Sequence, residues 1–479
     1  MIPRNILKCK VNHRTVPMID CTERRHMFQI NLPEDVKYIL NILRAAGYEA
    51  YAVGGCVRDC LLGKLPKDWD VTTSALPEDV KRLFPRTVDT GIKHGTVTVM
   101  VKSEGYEVTT YRVDGEYTDG RHPESVSFTA CLDEDLKRRD FTINALVYNE
   151  ATGVTDLFGG TKDLENGIIR CVGVAEERFG EDALRILRAV RFSAQLGFDI
   201  EKDTYTAAVK LGKNLAKVSA ERIKAELDKT LVSDNPGHIC LLKSMGLDKV
   251  ILPELQNAGQ EFLKAALPRS KKELTVRWAV TCLSMELGAE RKDGDYEPED
   301  TDGTHNTPGA LSLKVLHRLK FDNKTLDRIV LFIRTIRNGF PGEEDEHIRI
   351  RCRRLASILG WDNTDDFLNF CEAVDCGMQH ADIGEKFEFV PQKYCLDSTG
   401  FFKNVSKFEV IYAELLRTKQ NGECISLKEL AVNGRDLMEC GIESGTEIGK
   451  KLNGLLELVL KNPLMNTKEK LLEAVKKRK

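Results

Sequence analysis

Hydrophobic positions in residues 33–48 (PEDVKYILNILRAAGY) recur at three- and four-residue spacing and predict an amphipathic helix. The short apolar run EAYAVGG that follows predicts a strand entering a Gly-Gly turn, with a second helix beyond it. From Trp69 to Tyr148 the period shortens to two, so DVTT, GTVTVMV, YEVTTYR and SVSFT read as short strands, interrupted by one short helix near Glu78 to Leu83. Past residues 159–162 (GGTK) the strand signal fades, and from Glu181 onward the period is helical almost throughout. The DNPG run at 234–237 breaks the helices, and residues 288–309 are acidic and rich in Gly and Pro, as an exposed loop would be. The expected fold is α+β: an N-terminal head with a small mixed, mostly antiparallel sheet, followed by an all-helical neck, body and tail. The expected boundaries are a leader at 1–30 with the character of a segment that stays disordered, head 31–160, neck 161–233, body 234–355 and tail 356–479.

At 479 residues the chain exceeds what one core organises, in keeping with roughly three or four domains. Composition excludes several classes. With 42% hydrophobic and 30% charged residues, and no run near the ~18 apolar residues of a membrane span, no membrane partner is expected. The first 26 residues carry charges throughout and no apolar core of a secretory signal, so a cytoplasmic location is expected, with Met18 or Met27 as possible functional starts. Fourteen scattered cysteines without CxxC pairs suit reduced thiols. Cys56 and Cys60 could share a helix face, but without a second pair they read as small buried residues rather than a zinc site. A formal net charge of −3 offers no global attraction for nucleic acid, so an RNA site must be a local basic patch. The closing run Lys476 to Lys479 is one candidate, a solvated helix end the equal alternative.

The candidate chemistry lies in the head. Gly54, Gly55 and Arg58 follow a strand and open a helix, where backbone N–H groups and the guanidinium can cradle a triphosphate. Ten residues on, Asp68 and Asp70 flank Trp69 in a strand-like setting, whose period of two projects both carboxylates from one face. A D-x-D pair alone is a common surface feature. Beside a phosphate cradle it suits Mg2+ ions bridged by carboxylates and nucleotide phosphates, with Asp68 and Asp70 as metal ligands. Glu107, on the later segment YEVTTYR, becomes a third catalytic acid if that strand lies beside the first.

The segment GGCVRDCLLGKLPKDWDVTTSA resembles the signature of the polymerase β nucleotidyltransferase superfamily, and in particular the class II tRNA nucleotidyltransferases, the CCA-adding enzymes. The resemblance continues through EVTTYR, LKRRDFTINAL, DLFGGTKDLENGIIR and GEDALRILRAVRFSAQLGF to SAERIKAEL, covering about residues 33–233 in order. It implies template-independent addition of CCA to tRNA 3′ ends from ATP and CTP, with release of pyrophosphate. Bacterial poly(A) polymerases share the signature and are the alternative, although DTGIKHGTV at 89–97 looks more like the CCA-adding branch. It implies no DNA partner. It also places Arg139 near the sugar and phosphates, Asp140 and Asn144 at the ribose, and Arg188 and Arg191 on the nucleotide phosphates. Some relatives carry a His-Asp hydrolase site in the helical region, but no His-Asp dipeptide occurs here, so no second activity is expected.

Base choice has its own candidates. Asp182, Arg185, Arg188 and Arg191 recur at three-residue steps on a helix expected to begin near Glu181, each turned about 60° from the last. A carboxylate accepting from an exocyclic amine beside a guanidinium donating to the ring nitrogen matches the Watson–Crick edges of cytosine and adenine alone. Asp182 with Arg185 can thus act as a protein template, the role the family assigns to the matching residues. Residues 113–128 read as a mobile polar loop, and the resemblance associates such a loop with addition of the terminal A.

Overall fold

The computed structural model describes residues 29–115, 126–289, 307–342, 346–380, 405–442 and 445–477. The leader up to residue 28, the middle of the 113–128 loop, most of the acidic 288–309 segment and the last two basic residues lie outside them. The chain divides into two units after Arg178.

In the first unit the helix expected at 33–48 is α1 (Glu34–Ala45), its stripe of Val36, Ile39, Leu40 and Leu43 buried. Strands β1 (Ala50–Val53), β2 (Asp70–Thr73), β3 (Thr87–Gly91), β4 (Thr96–Val101), β5 (Glu104–Thr110), β8 (Leu146–Asn149) and β9 (Gly153–Asp156) form one sheet in the order β3-β4-β5-β2-β1-β8-β9. Every neighbouring pair is antiparallel except β2 and β5. That single parallel pair follows from the connection: β2 leaves the sheet through α3 (Pro77–Leu83), and the chain returns by the β3-β4-β5 meander. Its register sets Asp70 opposite Glu107, the adjacency on which the third acid depended.

Helix α2 (Gly55–Leu61) follows β1, and α4 (Leu132–Lys137) precedes the 142–144 turn and β8. Val53, Leu136, Ala145, Val147 and Val172 make a common core against which Tyr51, Leu132 and Phe158 pack. Strands β6 (Arg112–Asp114) and β7 (Val126–Phe128) pair as the stalk of the 113–128 loop. Its foot is fixed on the turn at 92–95. Arg112 Nη1 donates to the His94 carbonyl, and a Cβ on Gly95 would sit 2.8 Å from the Phe128 ring. Gly95 also has φ +82°, so a side chain is excluded twice over there.

Helix α5 (Gly160–Asn166) ends the β-rich region, and α6 (Ala175–Glu181) spans the division between units. Among its described residues the second unit is helical, as expected, apart from a two-residue extended stretch at Asp199–Ile200. Helix α7 (Leu184–Leu196) packs on α9 (Ala220–Leu231), with α8 (Lys202–Leu211) between them in sequence. After the short α10 (Leu241–Ser244) and α11 (Asp248–Ile251) come α12 (Gln260–Arg269), α13 (Leu274–Ala289), α14 (Ala310–Arg318), α15 (Asn323–Arg337), α16 (Ile348–Leu359) and α17 (Trp361–His380). Then follow α18 (Val405–Gln420), α19 (Gly434–Glu439), α20 (Thr446–Lys461) and α21 (Lys468–Lys477). Helix α13 is buried on all sides, including Trp278, Leu283 and Met285, as an axial core helix must be.

The arginines of α16 tie these last helices together. Arg349 pairs with Glu414, and Arg351 donates to the carbonyls of Phe340 and Pro341. Arg353 pairs with Glu423 at 2.5 Å and donates to the Leu460 carbonyl, while Arg354 pairs with Glu346 and Glu457.

Candidate active site

The site in the first unit begins at the Gly-Gly turn. Gly54 has φ 80° and ψ −124°, which L residues avoid, and its N–H donates to the Leu146 carbonyl at 3.0 Å. A Cβ there would lie 3.2 Å from Arg139 Nη1, so the glycine also makes room for that guanidinium. Gly55 opens α2.

Strand β2 begins at Asp70, with Asp68 in the segment before it, so strand alternation does not place Asp68 as the sequence suggested. The two acids still interact. Burial and the charges of Glu107 and Asp68 push the Asp70 carboxyl up from its ordinary value, against the opposing pull of Arg139. Asp70 and Glu107 face a cleft of about 220 Å³, also lined by Val53, Val71, Thr96, Thr109, Arg112, Arg138 and Arg139. Crowded carboxylates beside three arginines are a setting for a cation and a polyanion together.

No three Asp, Glu, His or Cys side chains among the described residues converge as a closed metal cage. The carboxylate oxygens of Asp70 and Glu107 on the cleft are the donor type of a hard cation such as Mg2+, which is commonly held by one or two carboxylates and completes its shell with water and phosphate oxygens. Zinc does not fit. Burial pushes the Cys56 thiol up to about 11, and its Sγ donates to the Val53 carbonyl at 3.3 Å.

Three residues expected to touch the nucleotide are engaged with one another. Arg58 Nη1 donates to Asn144 Oδ1 at 2.6 Å, and Nε and Nη2 donate to Asp59 Oδ1 at 2.9 and 2.7 Å. Asn144 Nδ2 in turn donates to Asp140 Oδ1 at 3.1 Å, which also accepts the Phe141 N–H at 2.8 Å. All three are buried. Arg58 thus joins α2 to the RRDFTIN segment through Asn144. Sequence spacing could not show this contact, since Asn144 lies 86 residues away.

Arg139 is different. Its Nη2 lies 3.4 Å from Asp135 Oδ2, and its buried Nε has no hydrogen-bond partner. Asp135 and Arg138 are site residues that no sequence expectation named. The doubled arginine of RRDF, three and four residues past an aspartate on a helical turn, was the available signal.

The base-reading candidates lie in the second unit. Helix α7 begins at Leu184 rather than near Glu181, and Asp182 sits in the break before it, its Oδ1 accepting the Leu184 N–H at 3.0 Å. Asp182 Oδ2 pairs with Arg222 Nη2 at 2.8 Å, and Arg185 Nη1 pairs with Glu181 at 2.5 Å. The two template candidates thus each have a partner of their own, Arg222 and Glu181, neither of which was expected. Arg188 is half-buried, its guanidinium 5.4 Å from the Phe192 ring centre. The side chain of Arg191 is 8% exposed and forms an ion pair with Glu226 at 2.9 Å, joining α7 to α9. A three-residue step on a helix turns about 60° short of a full circle, so the two steps from Arg185 carry Arg191 onto the packed face.

Comparison with known proteins bears on these parts in turn. Residues 50–170 match the poly A polymerase head domain, residues 197–258 the "Probable RNA and SrmB- binding site of polymerase A", and residues 400–475 the tRNA nucleotidyltransferase domain 2. A CCA-adding enzyme of Leuconostoc mesenteroides is 57% identical over 198 residues, which cover 41% of this chain and 49% of that protein. The chain thus aligns with about half of that relative's length. The CCA-adding enzyme of Ligilactobacillus salivarius is 34% identical over 465 residues, covering 93% of this chain and 98% of its own. Among solved structures, the Bacillus stearothermophilus CCA-adding enzyme in complex with CTP superimposes with a TM-score of 0.68 at 31% identity, over 93% of this chain and 98% of that one. The Thermotoga maritima CCA-adding enzyme complexed with tRNA_CCA shares the fold, with a TM-score of 0.55 at 20% identity over 94% of this chain and 97% of that one. None of the helices among the described residues is long and apolar enough to cross a membrane. Matched along nearly its whole length by a relative at 34% identity, the chain belongs to the CCA-adding enzymes.

Proposed function

We propose that this chain adds CCA to tRNA 3′ ends, using CTP and ATP and releasing pyrophosphate. The observation that carries the reading is the parallel register of β2 and β5, which brings Asp70 and Glu107 together over a cleft walled by Arg138 and Arg139. A relative solved with CTP and a full-length relative named for the same activity support it over poly(A) addition. The reading assigns the head (31–160) to catalysis, the neck (161–233) to base recognition, and the body (234–355) and tail (356–479) to gripping tRNA. A cytoplasmic setting suits the free thiols among the described cysteines.

Asp68 and Asp70 would hold Mg2+, with Glu107 beside them. When bound, magnesium supplies charge neutralisation at the phosphate oxygens and lowers the pKa of the attacking 3′-hydroxyl. Arg139, with donors unspent, binds triphosphate oxygens, and Gly54 leaves space for it. Arg58, Asn144 and Asp140 keep that wall rigid, as a phosphate site needs when the chemistry is mostly positioning. Asp182 accepts from the exocyclic amine of cytosine or adenine while Arg185 donates to the ring nitrogen, and Arg188 stands by the nucleotide.

The test is to incubate the protein with tRNA lacking CCA and with an unrelated RNA, offering each nucleotide alone and all together, and to sequence the ends. CCA on tRNA only is the expected product. Runs of A on both RNAs would replace this reading with poly(A) polymerase.

A further inference from the structure

We infer that Asp135 is a positioning residue of the triphosphate site and that it acts through Arg139. The inference rests on the reading that the cleft takes a nucleoside triphosphate. Asp135 sits on the short helix α4, and the next residue, Leu136, is fixed in the core. Its side chain is fully buried, a costly place for a carboxylate unless each oxygen is satisfied. Both are. Oδ1 accepts Arg138 Nε at 3.1 Å and Nη2 at 2.6 Å, and Oδ2 accepts Thr72 Oγ1 at 3.2 Å and Arg139 Nη2 at 3.4 Å.

The consequence lies in what this leaves to Arg139. The long contact to Asp135 uses one corner of the guanidinium, Nε is buried without a partner, and Nη1 lies against the space kept open by Gly54. A buried donor without an acceptor costs free energy until a ligand supplies one. An anionic phosphate oxygen is the acceptor a guanidinium fork prefers. Thr72 gives this arrangement its reference point. It stands two residues beyond Asp70 on β2 and projects from the same side of the strand. One carboxylate therefore ties the phosphate-binding arginine to the strand that carries the catalytic aspartate. Arg138 takes the opposite oxygen and stops the carboxylate from turning toward Arg139 and consuming its donors.

A double-mutant cycle tests this against a merely structural ion pair. CTP affinity by calorimetry, together with CTP KM, kcat and tRNA KM, is measured for wild type, Asp135→Asn, Arg139→Ala and the double variant. Asp135→Asn is expected to weaken CTP binding and raise CTP KM about tenfold while leaving tRNA KM unchanged, and to add less than about twofold in the Arg139→Ala background. An unchanged CTP affinity in Asp135→Asn, or the full tenfold loss persisting without Arg139, overturns the inference. If Asp135→Asn does not fold, Thr72→Val removes only the hydroxyl. A loss of about threefold in CTP affinity that disappears in the Arg139→Ala background is then expected, and an unchanged affinity overturns the inference equally. Wild-type protein that binds CTP with a non-additive cycle, yet extends no tRNA, upholds Asp135 and defeats the proposed activity instead.

Discussion

The RRDF segment at 138–141 and the IRIRCRRL segment at 348–355 put arginines at similar density, and the fold uses them in opposite ways. On α16 the guanidiniums of Arg349, Arg351, Arg353 and Arg354 meet carboxylates or backbone carbonyls, so a run that could pass for an RNA-binding stripe is helix-to-helix mortar. In the cleft, Arg138 and Arg139 share one carboxylate, and Arg139 keeps a buried N–H unspent. The comparison teaches that the density of arginines does not separate the two segments, whereas the buried Arg139 N–H left without an acceptor does. The acids divide the same way. Glu423 on the mortar side is held below the usual carboxylate range, with Arg353 outweighing the cost of burial, whereas Asp70 in the cleft is pushed up.

Breaking each side should give separable effects. The largest is expected for Asp70→Ala, which should cut turnover by about 10³-fold or more, since a metal-held charge contributes several kcal/mol to the transition state. Its melting temperature should stay near that of wild type, because removing a crowded carboxylate relieves repulsion. Single-turnover extension of tRNA together with a thermal melt checks both halves, and near-normal turnover would remove Asp70 from the chemistry. On the other side, Arg353→Ala leaves Glu423 half-buried without its cation and should cost about 2–3 kcal/mol of stability, with CTP KM unchanged. A raised CTP KM at unchanged stability would reverse the comparison.

A smaller effect is expected from Asp182→Ala. It removes the acceptor for the exocyclic amine and strands Arg222, so preference for C and A over U and G should fall about tenfold, more than triphosphate binding weakens. Incorporation rates for all four nucleotides decide this, and an unchanged preference excludes Asp182 as template. Smallest is Asp366, on the mortar side. Burial raises its carboxyl, but Lys271 and Arg328 outweigh it and hold the group below its ordinary value. The ionised form is therefore favoured by folding. Its stabilisation, about 1 kcal/mol, should be complete above the ordinary carboxylate pKa and vanish as pH falls through the lowered one. Melts of Asp366→Asn and wild type should differ at pH 7 and converge as pH falls below the ordinary carboxylate range; a constant difference would show that shape, not charge, matters there.

Much of this was legible along the chain. Alternation and turn residues located α1, α2, α3 and the strands at 70–73, 96–101 and 104–110, because strand and helix periods are local properties. The Gly-Gly turn and the acid that opens β2 were legible as well, since GG and DWD lie within a short segment. The contacts of Arg191 and Arg58 were not legible, because Glu226 lies 35 residues from the one and Asn144 86 from the other. Asp135 was passed over for the same reason: its meaning depends on Thr72, 63 residues earlier on a different element.

By itself the sequence determined the α+β head followed by helices and the motifs that carry the family resemblance, since these follow from local period and motif order. Only the tertiary structure decided which charges are spent and which are free. Charge pairing depends on distances between elements far apart in the chain, and a register such as Asp70 opposite Glu107 exists only once β2 and β5 lie side by side.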